Sequence, residues 1–223
     1  MQGRISKKII LYLFILLTLV NPINREFHNK KLEKNYSFEI LSLSEFNDKK
    51  IMNDLLSYKN QNLLFLKKED IYEIIKKYKI IEDYNIYKNY PSKLIVNFKK
   101  TQFLAITQKE GVYYYIGSNG NLIKTKKKFE DLPIIFGDVD VEEFLKLKKL
   151  VDNSIFDFRE IKNLYYFKSK RWDIETKEGL LLRLPRKNLD RSFQLFLDFI
   201  NNKDTKDIDI IDLRQNNQII LNG

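Results

Sequence analysis

The chain has 223 residues, of which 43% are hydrophobic, which suffices for one large or two small packed units and argues against global disorder. It has no Cys and one His (His28), so disulfides, Cys-ligated zinc, thiol nucleophiles and iron–sulfur clusters are excluded, as is a His-based triad or His-rich metal site within one chain. The net charge of +10 comes from lysines spread along the whole chain, and the one dense run, "KTKKK" at 124–128, lacks the interleaved aromatics of a nucleic-acid groove.

The N-terminal residues 1–8 carry Arg4, Lys7 and Lys8, and the apolar run "IILYLFILLTLV" follows. The basic residues before the run favour an N-terminus held in the cytoplasm, and no small-x-small cleavage motif follows it. Residues 9–23 are therefore expected to form a single-pass transmembrane anchor behind a cytoplasmic tail of residues 1–8, although the run is shorter than the roughly 17–25 residues of a relaxed spanning helix. A cleaved signal peptide is the alternative. Residues 24–35, with His28 among them, read as a polar linker.

Alternation in "YSFEILSLSEF" predicts a strand. Asn47 is placed to cap a helix over "DKKIMNDLLSYKN", whose Ile51, Met52, Leu55 and Leu56 form one apolar stripe. A second helix in "KKEDIYEIIKKYKII" puts Ile71, Ile74, Ile75 and Tyr78 on one face. "DYNIYKNYPSKLIVNF" reads as two strands turning at Tyr90-Pro91-Ser92, with Leu94, Val96 and Phe98 on one face. The order is β-α-α-β-β.

Strands then dominate. "FLAITQKEGVYYYIGSNGNLIK" holds strands turning at Gly111 and at Ser118-Asn119-Gly120, where Asn-Gly favours the positive backbone angles of a tight hairpin. "LPIIFGD" is a loop and short strand. Asp140 is placed to cap the helix "VEEFLKLKKLVD", with Glu143 completing a capping box. "IKNLYYFKSKRWDIETKEGLLLRLP" gives two or three strands, with Trp172 alternating with Ile174 towards the core. A helix in "NLDRSFQLFLDFINN" aligns Leu189, Phe193, Phe196, Leu197 and Ile200, and "IDIIDLRQNNQIIL" is the last strand region.

No pattern for catalysis emerges. The seven glycines are scattered and form no phosphate loop, and no carboxylate pair sits in a motif that opposes an acid to a base. Asp207, Asp209 and Asp212 look like a metal cluster, but strand spacing sends 212 to the opposite face from 207 and 209, and all three read as solvated edge and cap carboxylates.

The order of these stretches resembles the bacterial cell division family FtsQ/DivIB. The likeness covers residues 36–221 and is carried by "NLLFLKKEDIYEIIKKYKIIEDYNIYKNYPSKLIVNF", "FLAI", "YYYIGSNGNLI", "LPIIFG", "RWDIETKEGLLLRL" and "IIDLRQNNQIIL". It implies an α+β fold: the transmembrane helix, a POTRA domain over 36–104, and a mainly antiparallel β-domain with helices over 105–223. It implies no enzyme, no cofactor, no metal, no nucleic acid and no small-molecule substrate. It implies a bitopic scaffold of the divisome in the inner (cytoplasmic) membrane at the division septum, its bulk periplasmic. FtsB, FtsL-like proteins and other divisome components are the implied partners. By position, the partner-binding edge would comprise Arg214, Gln215, Asn217, Gln218, Ile219, Ile220 and Leu221, with Lys170 and Arg171 beside it. Gln215 stands where the family commonly has an aromatic, and Asn216-Asn217 where Gly is common. Two readings from other classes stand beside this one. One is a POTRA-containing envelope transport or assembly component. The other is a secreted basic protein that binds polyanions.

Overall fold

The computed structural model describes residues 7–19, 37–41, 48–59, 61, 63–124, 131–202, 208–215 and 217–222. His28, the linker, the proposed cap Asn47, most of the run at 124–128, Asp207 and Asn216 lie outside them. The architecture is mixed α+β, with two sheets and two main cores.

Helix α1 (Lys7–Leu19) presents its apolar side chains Ile9 to Leu16 to the outside. Its 13 residues give a length of about 20 Å, short of the roughly 30 Å of a bilayer core. Among the described residues, no helix is long and apolar enough to cross a membrane.

The first sheet follows. Strand β1 (Ser37–Leu41) leads to helices α2 (Asp48–Leu56) and α3 (Lys68–Ile75), then to β2 (Ile81–Asn89) and β3 (Lys93–Lys100). The strand order is β1-β3-β2, with β1 parallel to β3 and β2 antiparallel to it. Every second residue of β3, namely Leu94, Val96 and Phe98, is buried against Ile51, Leu55, Ile71, Ile74 and Ile75 of the two helices. Two details differ from the sequence reading. Leu56 is exposed, because the apolar stripe of α2 narrows to Ile51 and Leu55. Helix α3 ends at Ile75, so Tyr78 packs from the turn beyond it.

The second sheet has nine described strands, in the order β12-β11-β10-β9-β8-β7-β4-β5-β6. They are β4 (Phe103–Lys109), β5 (Val112–Gly117), β6 (Leu122–Ile123), β7 (Ile134–Phe136), β8 (Ile161–Tyr166), β9 (Trp172–Thr176), β10 (Leu181–Arg183), β11 (Ile210–Asp212) and β12 (Ile220–Asn222). Five of the eight pairings are antiparallel and three parallel. Helices α4 (Val141–Asp152) and α5 (Leu189–Asn202) cover one face. There Ile135, Leu164, Ile174, Leu182 and Ile211 from five neighbouring strands meet Phe144, Leu147, Phe193 and Phe196. Trp172 is buried in the same core and lies against Tyr166, with ring centroids 4.6 Å apart.

Asp140 caps α4 by accepting from the Glu142 N–H at 2.9 Å. The capping box is not completed, because the Glu143 carboxylate is instead engaged by Lys146 Nζ at 2.8 Å. The turn with two positive φ angles is Glu110-Gly111, between β4 and β5, which is the pattern of a two-residue hairpin matched to strand twist. At Asn119-Gly120 only Gly120 has positive φ, and the Asn119 side chain serves another purpose, described below.

Gly137 has φ +102, and a Cβ there would stand 2.0 Å from the Tyr166 carbonyl oxygen, whereas a Cβ on Gly111 meets nothing within 4 Å. Gly111→Ala should therefore cost only the backbone term, about 1 kcal/mol. Gly137→Ala forces β7 from β8 and should cost about 3 kcal/mol. Urea unfolding midpoints check the ranking, and equal losses would contradict the close approach.

Candidate functional site

The sequence-predicted contact residues fall at one end of the second sheet. Strand β11 lies parallel to β10 and antiparallel to β12, which among the described residues is the outermost strand on that side of the sheet. Ile211 and Leu213 are fully buried and hold the segment to the core. The chain then reverses through a turn in which Asn217 takes φ +56, a conformation open to Asn at small cost. Ile219 packs back on the core, while Ile220 and Leu221 are exposed. Gln215, Asn217 and Gln218 are also exposed.

Backbone direction along this edge follows from two bonds. The Leu181 N–H donates to the Asp209 carbonyl and the Leu213 N–H to the Arg183 carbonyl, so Ile211 faces β10. Ile210 and Asp212 then face β12, and the alternation of an antiparallel ladder turns the N–H and C=O of Leu221 outward.

A charged row backs the edge. In register, Asp212 lies beside Arg183, and Arg183 beside Asp173. Asp212 is 8% exposed and Asp173 5%, so neither is a solvated carboxylate; the sequence reading of Asp212 is corrected here. Arg214 folds back over Asp212. Its Nε lies 2.8 Å from both carboxylate oxygens, its Nη2 makes a further bond, and its backbone N–H donates to Oδ1 at 3.0 Å. Arg183 Nη1 stands 3.9 Å from the same group. Arg171 Nε donates to Asp173 at 3.2 Å, and its guanidinium lies 4.2 Å from the Phe167 ring centroid. Lys170, with φ +60, sits exposed at the adjoining turn.

Burial raises both carboxyls, yet the two aspartates shift in opposite directions. The side-chain bonds from Arg214 hold the Asp212 carboxyl below the usual range, helped by the Arg214 N–H. Burial pushes Asp173 up, because one Nε bond and the nearby Arg171, Arg183 and Arg214 charges offset only part of the desolvation. The structure thus gathers Arg171 and Arg214, 43 positions apart, around two buried carboxylates. Sequence reasoning missed Arg183 and both aspartates. A signal was available: "RWD" and "DLR" each place an arginine and an aspartate two apart on a strand, hence on one face. No group of three or more His, Cys, Asp or Glu residues suited to a metal occurs among the described residues.

The row continues across the open face as Tyr165 and Phe136, whose rings stack at 5.3 Å. Next to it Glu175 accepts from Tyr165 Oη at 2.6 Å, Lys162 Nζ at 2.9 Å and Asn163 Nδ2 at 3.0 Å. These bonds, Asn163 and Tyr165 foremost, pull its carboxyl from 4.5 down to about 2. A carboxylate held low in the fold stabilises it above the unfolded value, and that contribution fades as pH falls towards the folded one. Glu175→Gln should therefore be less stable than the parent at pH 7, with the difference closing between about pH 4.5 and pH 2. Chemical unfolding at a series of pH values reads this directly, and a gap that persists at pH 2 would exclude the network as its source.

Comparison with known proteins bears on the same region. Residues 105–214 match the family described as cell division protein FtsQ/DivIB, C-terminal. The protein "Cell division protein FtsQ" of Bradyrhizobium diazoefficiens is 25% identical over 169 residues, covering 72% of this chain and 48% of its own length. Those of Rhizobium radiobacter and Agrobacterium fabrum are each 29% identical over 143 residues, covering 60% of this chain and 66% and 44% of theirs. The chain thus spans less than two thirds of the length of these curated relatives. Among solved structures, the major extracytoplasmic domain of the cell division protein DivIB from Geobacillus stearothermophilus matches 48% of this chain and 92% of that one, at 14% identity and a TM-score of 0.33. Residues 105–214 thus resemble the C-terminal part of the FtsQ/DivIB family of cell division proteins, and the likeness to FtsQ relatives extends over up to 72% of the chain.

Proposed function

We propose that this chain is a bitopic scaffold of the cell-division machinery that captures a partner segment as an added strand on β12. Residues 9–23 anchor it in the inner membrane, with residues 1–8 cytoplasmic and the bulk periplasmic. Residues 36–104 form a POTRA domain and residues 105–223 the partner-binding β-domain. The chain works by association rather than by catalysis, with FtsB and FtsL-like proteins as the partners.

The observation that carries the reading is the free edge itself. β12 ends a nine-stranded sheet with the Leu221 backbone turned outward and Ile220 and Leu221 exposed. An unpaired strand of this kind recruits an extended peptide through main-chain hydrogen bonds, and its side chains select the sequence. Three arginines against two aspartates leave the row behind the edge net positive, and Lys170 adds to this, so an acidic partner segment fits best. Arg214 is committed to Asp212 inside the chain, and Arg171 to Asp173. Lys170 and the backbone of the edge are therefore the groups most open to a partner.

Leu221→Pro removes the outward N–H while sparing the ladder to β11, a position where an edge strand tolerates proline. Binding of the FtsB periplasmic segment, measured by calorimetry, should weaken at least about tenfold with the unfolding midpoint unchanged. Undiminished binding would sink strand addition at β12. For the anchor, residues 1–24 fused to a soluble reporter should hold it in the membrane fraction; a processed reporter free in solution would mean a cleaved signal instead.

A further inference from the structure

Five apolar and aromatic positions at one end of the first sheet do not behave alike. In "NLLFL", Leu63 and Leu66 are 0% and 1% exposed, while Leu64 and Phe65 between them are 65% and 79% exposed. The outer pair of leucines fastens the loop into the core, and Lys88 Nζ donates to the Leu66 carbonyl. The inner pair is thereby held outward by the fold rather than left on a loose tip. Tyr90, in the turn between β2 and β3, is exposed as well.

Register places these residues together. Lys88 pairs with Leu94, Asn89 with Lys93, and Lys93 with Ser37, the first residue of β1. The Leu64-Phe65 loop, Tyr90 and the point where the chain arrives from α1 therefore share one end of the sheet. The other end, at Ile80 and Thr101, adjoins the second sheet, so β3 separates the two ends by about 26 Å.

We propose that this end of the first sheet docks on an anionic bilayer surface, with Phe65 and Leu64 entering the interface, Tyr90 at headgroup level, and Lys59, Lys67 and Lys68 over the phosphates. The proposal rests on the membrane anchoring stated above. Three observations select a bilayer as the occupant. The apolar residues are few and protrude, which suits shallow insertion rather than a packed protein interface. The exposed lysines Lys59, Lys67 and Lys68 flank them, while the nearest acids, Glu69 and Asp70, lie in the first turn of α3, where Asp70 accepts from the Lys67 N–H. And the apolar helix of the same chain ends at Leu19, leaving 17 residues before Ser37, which reach at most about 60 Å. The domain end that receives this tether is the end that carries the aromatic and basic residues, the composition expected where protein meets headgroups.

The chain lacks Cys, so Phe65→Cys gives one labelling site, and Ile155→Cys gives an exposed reference on the second sheet's unit. Each full-length variant carries an environment-sensitive dye and is reconstituted with vesicles of phosphatidylcholine and phosphatidylglycerol, with and without nitroxide-labelled acyl chains. The dye at 65 should be quenched several-fold more than the dye at 155, with about a twofold loss of that quenching when Lys67 and Lys68 are both changed to Glu or when salt is raised to 0.5 M. A chain that floats with the vesicles but shows equal quenching at both positions overturns the docking and leaves the anchor standing. A chain that fails to float overturns the anchor and the docking together.

Discussion

Asp212 fixes where the last edge of the second sheet lies. Its strand is three residues long and enters the sheet in parallel beside β10, a pairing that hairpin geometry does not enforce. Two things hold it: Ile211 and Leu213 in the core below, and the Asp212 carboxylate gripped by Arg214 with Arg183 alongside. A buried carboxylate is tolerable only when its oxygens are satisfied, and the fork from Arg214 does that from two residues away on the same strand. The arrangement is local enough to form as soon as β11 docks, and it commits the chain to turn at Gln215. β12 then has one surface to lie on. The edge is exposed because it is last in the sheet, and it is in place because the strand before it is pinned by charge as well as by packing.

A second set of polar contacts joins the two sheets. Only Thr101 and Gln102 separate β3 from β4. Ser118 Oγ donates to Glu82 at 2.9 Å and lies 3.0 Å from Thr101 Oγ1, and Asn119 Nδ2 donates to the carbonyls of Lys79 and Ile81 at 3.0 and 3.1 Å. Gly117 is needed for this approach, since a Cβ there would stand 2.6 Å from Thr101 Oγ1. Beneath the polar layer Ile80 packs against Phe103, Tyr115 and Ile123. The β5–β6 turn thus grips the start of β2, and the joint is built from both sides of the chain rather than from a flexible linker.

Much of this was legible in the residues, and the gaps have a common cause. Period and alternation located the helices and strands, because Leu94, Val96 and Phe98, or Phe193, Phe196 and Leu197, announce a face through their own spacing. Asp140 was legible as a cap because capping is a matter of two residues along the chain. Glu143 was not, since its choice of Lys146 over the helix N-terminus is a competition that spacing alone does not decide. Asn119-Gly120 looked like a turn, and it is one, but the asparagine side chain is spent on carbonyls some 40 positions away. Asp212 looked solvated because its burial beside β10 and the approach of Arg183 are known only once the register is known, although the Arg214 that grips it stands two residues away. Local rules found the elements; the side chains that set the site work across strands that sequence does not order.

The arrangement also sets a direction. On the proposed topology, the Ser37 end of the first sheet faces the membrane, and the joint at Ile80 and Thr101 lies at its far end. The second sheet departs from that joint through β4, and β12 stands six strands away, roughly 30 Å to the side at ordinary strand spacing. A partner strand added at β12 is thus offset laterally from the anchor as well as held above the bilayer. Because the joint is packed and hydrogen-bonded, that offset is a property of the fold and not of a tether. Binding at the membrane end and at the sheet edge would then each constrain the orientation of the other, since the same rigid path of β3, β4 and the sheet connects them. On that proposed topology the fold would fix the height and bearing at which two bound partners meet.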